Sequence, residues 1–203
     1  MRKVDPELQN RRREQILEAA AVCFVRRGFH QSSMQDICAE AQMSPGALYH
    51  YFDSKESIIK AIADEYHIQT MAFLEKLRDS ENFVEGFIAA VTQALEISIK
   101  EEHPRLAVEI LAEASRNPKI ARLFDKTELE TKKTLVRLLQ DAARRGEIDA
   151  TLKAEHTAEI LLALIEGIEG RAILNPSIKV RSLAPTLATL IARFLQPAKA
   201  GLR

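Results

Sequence analysis

Residues Ser32–Glu56 read SSMQDICAEAQMSPGALYHYFDSKE, and the reading of this stretch decides the fold. Ser32 or Ser33 opens a helix that runs to about Glu40, because a serine oxygen satisfies the first unpaired amides. Ser44 opens another, with Pro45 at the favoured first helical position. Leu48 and Phe52, four residues apart, share one face and anchor this second helix to Ile37 and the preceding helix. The second helix is too short and too poor in apolar residues to be a core element. A short exposed helix on a rigid support is the arrangement that enters a DNA major groove.

The flanks extend the pattern. From about Pro6 to Arg27, Ile16, Leu17, Ala20, Cys23 and Phe24 form one helical face, and Gly28 ends that helix. Ser54 caps a long helix striped by Ile58, Ile62, Tyr66, Phe73 and Leu77. Downstream, apolar stripes recur at helical spacing, punctuated by Asn117-Pro118, Gly146 and Asn175-Pro176. No period-two alternation occurs. The expectation is an all-α fold of about nine helices.

Within the short exposed helix, Pro45, Gly46, Ala47, Tyr49 and His50 occupy the face opposite Leu48. Small residues at 46 and 47 permit close approach to bases, and Ala47 suits a thymine methyl. Tyr49, Tyr51 and Lys55 can reach phosphates, which sets register without reading sequence.

The run ILEAAAVCFVRRGFHQSSMQDICAEAQMSPGALYHYFDSKESI, Ile16–Ile58, resembles the N-terminal domain of the TetR (tetracycline repressor-like) family. The matching landmarks are Ile16-Leu17, Ala20-Ala21, Phe24, Gly28-Phe29, Ser33, Ile37, Ser44, Gly46, Leu48-Tyr49, Tyr51-Phe52 and Ser54-Lys55-Glu56. Cys38, Gln42 and Met43 depart from the family's usual Ala, Gly and Val. A left-handed Gln42 would cost about 1 kcal/mol relative to glycine.

The resemblance implies a homodimer that binds a palindromic operator in double-stranded DNA and answers to a small-molecule effector. It implies a helix-turn-helix domain over 1–54 and a helical effector-binding and dimerisation domain over 55–203, with the helix from Ser54 to Arg78 belonging to both halves. Carried over by position, Gln35, Pro45, Gly46, Ala47, Tyr49 and His50 face the groove, and Ser33, Tyr51 and Lys55 hold phosphates; Ser44 caps the reading helix. Gln35 and His50 are the candidates for base readout.

In the C-terminal half, Phe87, Val91, Leu95, Leu111, Leu135 and Ile165 are candidate pocket residues, each equally explained as core packing. Leu161, Leu164, Ile168, Leu187, Ile191 and Phe194 are candidates for the dimer interface, where Gly167 and Gly170 would allow close helix approach; the alternative is that they are ordinary core residues of a monomer. Glu109, Glu113, Glu166 and Glu169 interrupt apolar stretches. Such carboxylates are solvated, paired with Arg105, Arg116 or Arg171, or turned to a cationic or hydroxyl-bearing ligand.

Composition narrows the alternatives. At 46% hydrophobic and 29% charged residues in a 203-residue chain, the protein is expected to be globular. A net charge of zero argues against a wholesale polyanion binder but not against a local basic surface. Arg2, Lys3, Arg11, Arg12 and Arg13 supply such a surface, or else a solvated helix start. Cys23 and Cys38 have no CxxC partner and read as buried, inert thiols. No segment reaches the roughly 20 apolar residues of a membrane span, and the charged N-terminus lacks an apolar signal region. A cytoplasmic location is expected.

His30, His50, His67, His103 and His156 are scattered without metal-ligand spacing, and no nucleophile elbow or phosphate loop is present. The expectation is therefore no enzyme, metal or cofactor. A ligand-responsive repressor is the reading these features favour. An activator and a helical interaction module without DNA binding are the alternatives, and the second leaves the Pro45–Ala47 face unexplained. Low aromatic content and the absence of Trp favour a hydrophobic or amphipathic effector over a caged quaternary cation.

Overall fold

The computed structural model describes residues 5–100 and 105–196. Arg2, Lys3 and His103 of the sequence expectations lie outside the described residues. Among the described residues the regular secondary structure is all α-helical: α1 (Pro6–Gln31), α2 (Met34–Glu40), α3 (Pro45–Tyr49), α4 (Lys55–Arg78), α5 (Phe83–Lys100), α6 (Arg105–Ala114), α7 (Pro118–Arg144), α8 (Ala154–Leu174) and α9 (Val180–Leu195).

The breaks fall where local chemistry puts them. Asp5 caps α1 through the Glu7 amide, with Pro6 at the first turn. Gly28 takes φ +79° and ψ 155°, so the helical path breaks there before a last turn through Gln31. A residue with a Cβ meets steric resistance at that φ, which explains the glycine. Ser54 and Ser57 cap the start of α4 reciprocally, each hydroxyl accepting the other's amide at 3.2 Å.

The chain forms two compact units. The first gathers the chain up to Tyr66 and the α6 segment through Lys126. The second gathers the end of α4 from His67, α5, and the chain from Thr127 onward. Both α4 and α7 run through the point of division as single helices. The expected boundary at residue 54 thus falls inside the first unit. The core of that unit explains why: Leu106, Ile110 and Ile120 are buried with Ile16, Phe24, Ile37, Leu48 and Ile58 in one cluster, and α6 packs on α1.

In the second unit α5 packs on α8 and α9. Its core holds Phe87, Val91, Leu95, Leu135, Leu161, Leu187 and Ile191. This corrects part of the expected dimer surface. Leu161 and Ile191 are each 1% exposed, and Leu187 is also buried, so their side chains already contact their own chain and have no surface left for a partner. The apolar residues that α8 and α9 leave exposed are Ile160, Leu174, Leu183 and Leu190. Leu164, Ile168 and Phe194 are half-buried beside the core.

Candidate nucleic-acid interface

The first unit builds its exposed helix on three supports. Leu48 is fully buried and Phe52 nearly so, both in the cluster that holds Ile37, which fixes the inner face of α3 as the four-residue spacing required. Ser44 accepts from the Ala47 amide at 3.3 Å and sets the entry to α3. Gln15 Nε2 donates to the Ala41 carbonyl at 2.7 Å, tying the turn back to α1.

The turn itself contains a strained residue. Gln42 has φ +53°, and among the described residues it alone combines a side chain with a positive φ. The departure from glycine noted in the sequence therefore has a conformational cost of about 1 kcal/mol. Gln42→Gly should raise the melting temperature by about 2 °C. A scanning calorimetry trace with an unchanged or lower midpoint would show that the Gln42 side chain makes up for its backbone.

α2 is fastened by a capping box. Ser33 Oγ accepts from the Asp36 amide at 3.1 Å, and Asp36 Oδ2 accepts from the Ser33 amide at 2.9 Å and from the Ser33 hydroxyl. Arg27 adds an ion pair to the same carboxylate at 2.6 Å. The hydrogen bonds from Ser33, more than the Arg27 charge, hold the Asp36 carboxyl below the usual carboxylate range.

Outward from these supports, Pro45, Gly46, Tyr49 and His50 are exposed and Ala47 is half-buried. Tyr49 is 54% exposed. A Cβ built on Gly46 would meet no atom within 4 Å, so the surface there is open. Gln35 on α2 is exposed as well. Five of the six residues expected to face the groove are thus exposed on α2, α3 and the residue after α3.

Two residues expected to hold phosphate are occupied differently. Tyr51 is half-buried against the core, its ring edge-on to His50 at 5.3 Å. Lys55 donates from Nζ to the Phe29 carbonyl at 2.7 Å and lies 4.4 Å over the Phe29 ring. The half-buried Lys55 thus ties α4 to the end of α1. Of the basic cluster on α1, Arg13 pairs with Glu65 at 2.8 Å and Arg12 bonds Gln15 at 2.9 Å.

The interrupting carboxylates of α6 also resolve into structure. Glu113 is 2% exposed and accepts from Arg116 Nε at 2.8 Å and Asn117 Nδ2 at 3.0 Å. Burial pushes this carboxyl up, but the bonds from Asn117 and Arg116, with the Arg116 charge and then His30, outweigh it and hold Glu113 below its ordinary value. The group is covered by its own partners rather than set deep in apolar surroundings. A carboxyl depressed in the folded state adds stability above its unfolded pKa, about 4.3, and that stability is lost as pH falls through the lower folded value. Glu113→Ala should therefore cost about 2–3 kcal/mol at pH 7. The gap to the parent should narrow in urea titrations as pH falls below about 4.3; a gap independent of pH would mean packing, not charge, is what the substitution removes.

Cys23 and Cys38 are buried, and burial, reinforced by Glu40 and Asp36, pushes the Cys23 thiol up, away from the reactive thiolate. Among the described residues no cluster of His, Cys, Asp or Glu is placed to hold a metal ion. No helix there is long and apolar enough to cross a membrane.

The candidate pocket residues divide. Phe87, Val91, Leu95 and Leu135 are buried in the second unit's core and Ile165 packs beside it. Leu111 is corrected: it lies on α6, in the first unit, and is 71% exposed, lining no enclosed space. An open depression in the second unit lies elsewhere, between the end of α7 and the start of α8, bordered by Leu139, Arg144, Ile148, Leu152 and Thr157.

A short helix held open on a capped, buried support defines a helix-turn-helix DNA-binding regulator. The chain belongs to the TetR family of bacterial regulatory proteins, whose model matches residues 16–62; a BetI-type transcriptional repressor C-terminal model matches residues 86–196. It is similar to the HTH-type transcriptional regulator UidR of Escherichia coli K12, 31% identical over 156 residues, 77% of this chain and 79% of the relative. It also resembles the structure of Salmonella enterica GusR, at 32% identity and a TM-score of 0.79, covering 96% of this chain and 99% of that one. The fold further matches that of a SmeT–triclosan complex, at 22% identity and a TM-score of 0.80, over 94% of both chains. Members of the family are ligand-responsive transcriptional regulators that bind operator DNA as dimers, and this chain is one of them.

Proposed function

We propose that the protein is a cytoplasmic repressor that occupies a palindromic operator as a homodimer and leaves it when a hydrophobic or amphipathic small molecule binds its C-terminal unit. The observation that carries the DNA-reading part is the open α3 surface: exposed Gly46, Tyr49 and His50 over fully buried Leu48. Gln35 and His50 read base edges, while Pro45, Gly46 and Ala47 let the backbone approach. Ser33 and Tyr49 set register on phosphates.

The partner surface is the exposed apolar side of α8 and α9, with Ile160, Leu174, Leu183 and Leu190 at its centre and Leu164, Ile168 and Phe194 at its edge. Two observations support it. These leucines and isoleucines are exposed on helices whose other faces are buried, and a Cβ at Gly167 or Gly170 would meet nothing within 4 Å. The space over both glycines suits a second helix.

The apolar character of Phe87, Val91, Leu95, Leu135 and Ile165 supports an apolar effector, which would enter by parting this packing. Release is a population shift. Effector favours a state in which α4, a helix common to both units, has moved, so that the recognition helices no longer match half-sites roughly 34–36 Å apart. A switch from mostly bound to mostly free requires several kcal/mol of preference for the released state.

The test is binding to duplex DNA from upstream of the protein's own gene at two salt concentrations. Specific binding that weakens steeply with salt, then a screen of apolar compounds for release, is the expected course. An operator selected from random sequence that lacks two-fold symmetry would overturn the dimeric palindrome reading.

A further inference from the structure

At Gly28 the helical path of α1 breaks, and the helix resumes for one short turn that ends with the Ser32 amide on the Gly28 carbonyl. The amide just past the break belongs to Phe29, and it donates to Oε1 of Glu109 at 3.1 Å, a residue eighty positions away on α6. Gly28 leaves room for that carboxylate as well as for the positive φ: a Cβ there would stand 3.0 Å from the same oxygen.

The other side of the Phe29 residue is held just as closely. Its carbonyl accepts from Lys55 Nζ at 2.7 Å, and the His30 carbonyl takes a longer contact from the same ammonium at 3.4 Å. Ser32, buried, donates to the Cys23 and Gly28 carbonyls at 3.0 and 2.8 Å. The next residue, Ser33, is the cap of α2. Phe29–Gln31 is therefore the short path that fixes where α2 begins. It is gripped by a carboxylate from α6 on one side and an ammonium from α4 on the other.

We propose that Glu109 is a positioning residue for operator binding: by accepting the Phe29 amide it sets the path from α1 into α2, and through α2 the presentation of α3. It does not touch DNA. The proposal rests on the DNA-reading role of α2 and α3, which wild-type binding tests separately in the same experiment.

The experiment uses the full-length protein and an operator duplex selected by that protein from a randomised pool. Glu109→Ala should weaken operator binding about tenfold, the effect of losing a charge-assisted hydrogen bond. Glu109→Gln keeps a carbonyl oxygen in reach of the amide and should bind within about threefold of wild type. The slope of affinity against salt should match wild type in both, because no phosphate contact is removed. A purely structural Glu109 would lower the melting temperature yet leave the affinity of the folded protein unchanged. That result overturns the proposal, and so does an equal loss in the Ala and Gln variants.

Should Glu109→Ala fail to accumulate, hydrogen exchange of the Phe29 amide in the wild type supplies a second readout. Protection in the operator-bound protein is expected, and exchange at the rate of an open amide in that complex overturns the assignment. Absence of wild-type binding to any selected duplex would instead count against the DNA-reading role itself.

Discussion

Replacing Gly46 with Glu should leave a folded, dimeric protein whose affinity for its operator is lower by at least about 100-fold, since like charges brought together across an interface cost several kcal/mol. Gly46 lies in the first turn of α3, is exposed, and has open space where a Cβ would go. Its φ is not among the positive values, so an L-residue is accepted. An acidic side chain near a helix start is itself mildly favourable. Folding therefore has no reason to suffer, and the whole effect falls on DNA. Fluorescence anisotropy against the selected operator, with circular dichroism as the control, reads both sides. Wild-type affinity in this variant would move the reading surface away from α3.

Leu190→Glu should convert the dimer to a monomer and lower operator affinity by about 10²–10⁴, the range by which linking two binding heads raises affinity. Leu190 is 48% exposed on α9, so in the monomer the new carboxylate is solvated and the fold survives. At a partner surface the same charge would be buried without a counter-ion, which interfaces do not tolerate. Leu187 supplies the contrast. It is buried in its own chain's core, and Leu187→Glu should fail to fold at all. Sedimentation of the purified Leu190→Glu protein decides the matter; a dimer of undiminished stability would place the partner surface elsewhere.

That contrast shows where sequence reading stops. Capping residues, the Gly28 break and the anchor pair Leu48 and Phe52 are local features, fixed by neighbours within a turn or two, and each sits where its chemistry predicts. So does the left-handed conformation that Gln42 adopts in place of the family's glycine. The apolar arc of α8 and α9 is different. Leu161, Leu187 and Ile191 are as apolar as Ile160, Leu183 and Leu190, and helical spacing alone does not distinguish the side that meets α5 from the side left open. The bond from Lys55 to the end of α1 is likewise not legible in sequence, because the carbonyl it binds belongs to a residue twenty-six positions earlier. Glu109 and Glu113 were visible as charges among apolar residues. Their destination, against α1 and the Asn117 turn instead of a ligand, depends on contacts that no local pattern encodes. Leu111 illustrates the converse: an apolar residue on a striped helix can still face water.

The first unit is discontinuous in sequence: its core is closed by Leu106, Ile110 and Ile120, which the chain supplies only after passing through α5. A regulator rebuilt by exchanging heads between relatives at residue 54 would thus inherit a foreign α6 beneath a native α1, with no guarantee of a carboxylate opposite Gly28. The reading head in this architecture is not freed by a single cut in the chain. A graft that respected the molecule would carry α6 and the start of α7 along with the head, and the evolution of new operator specificity on this scaffold is correspondingly freer in the outer residues of α2 and α3 than in the helices that hold them.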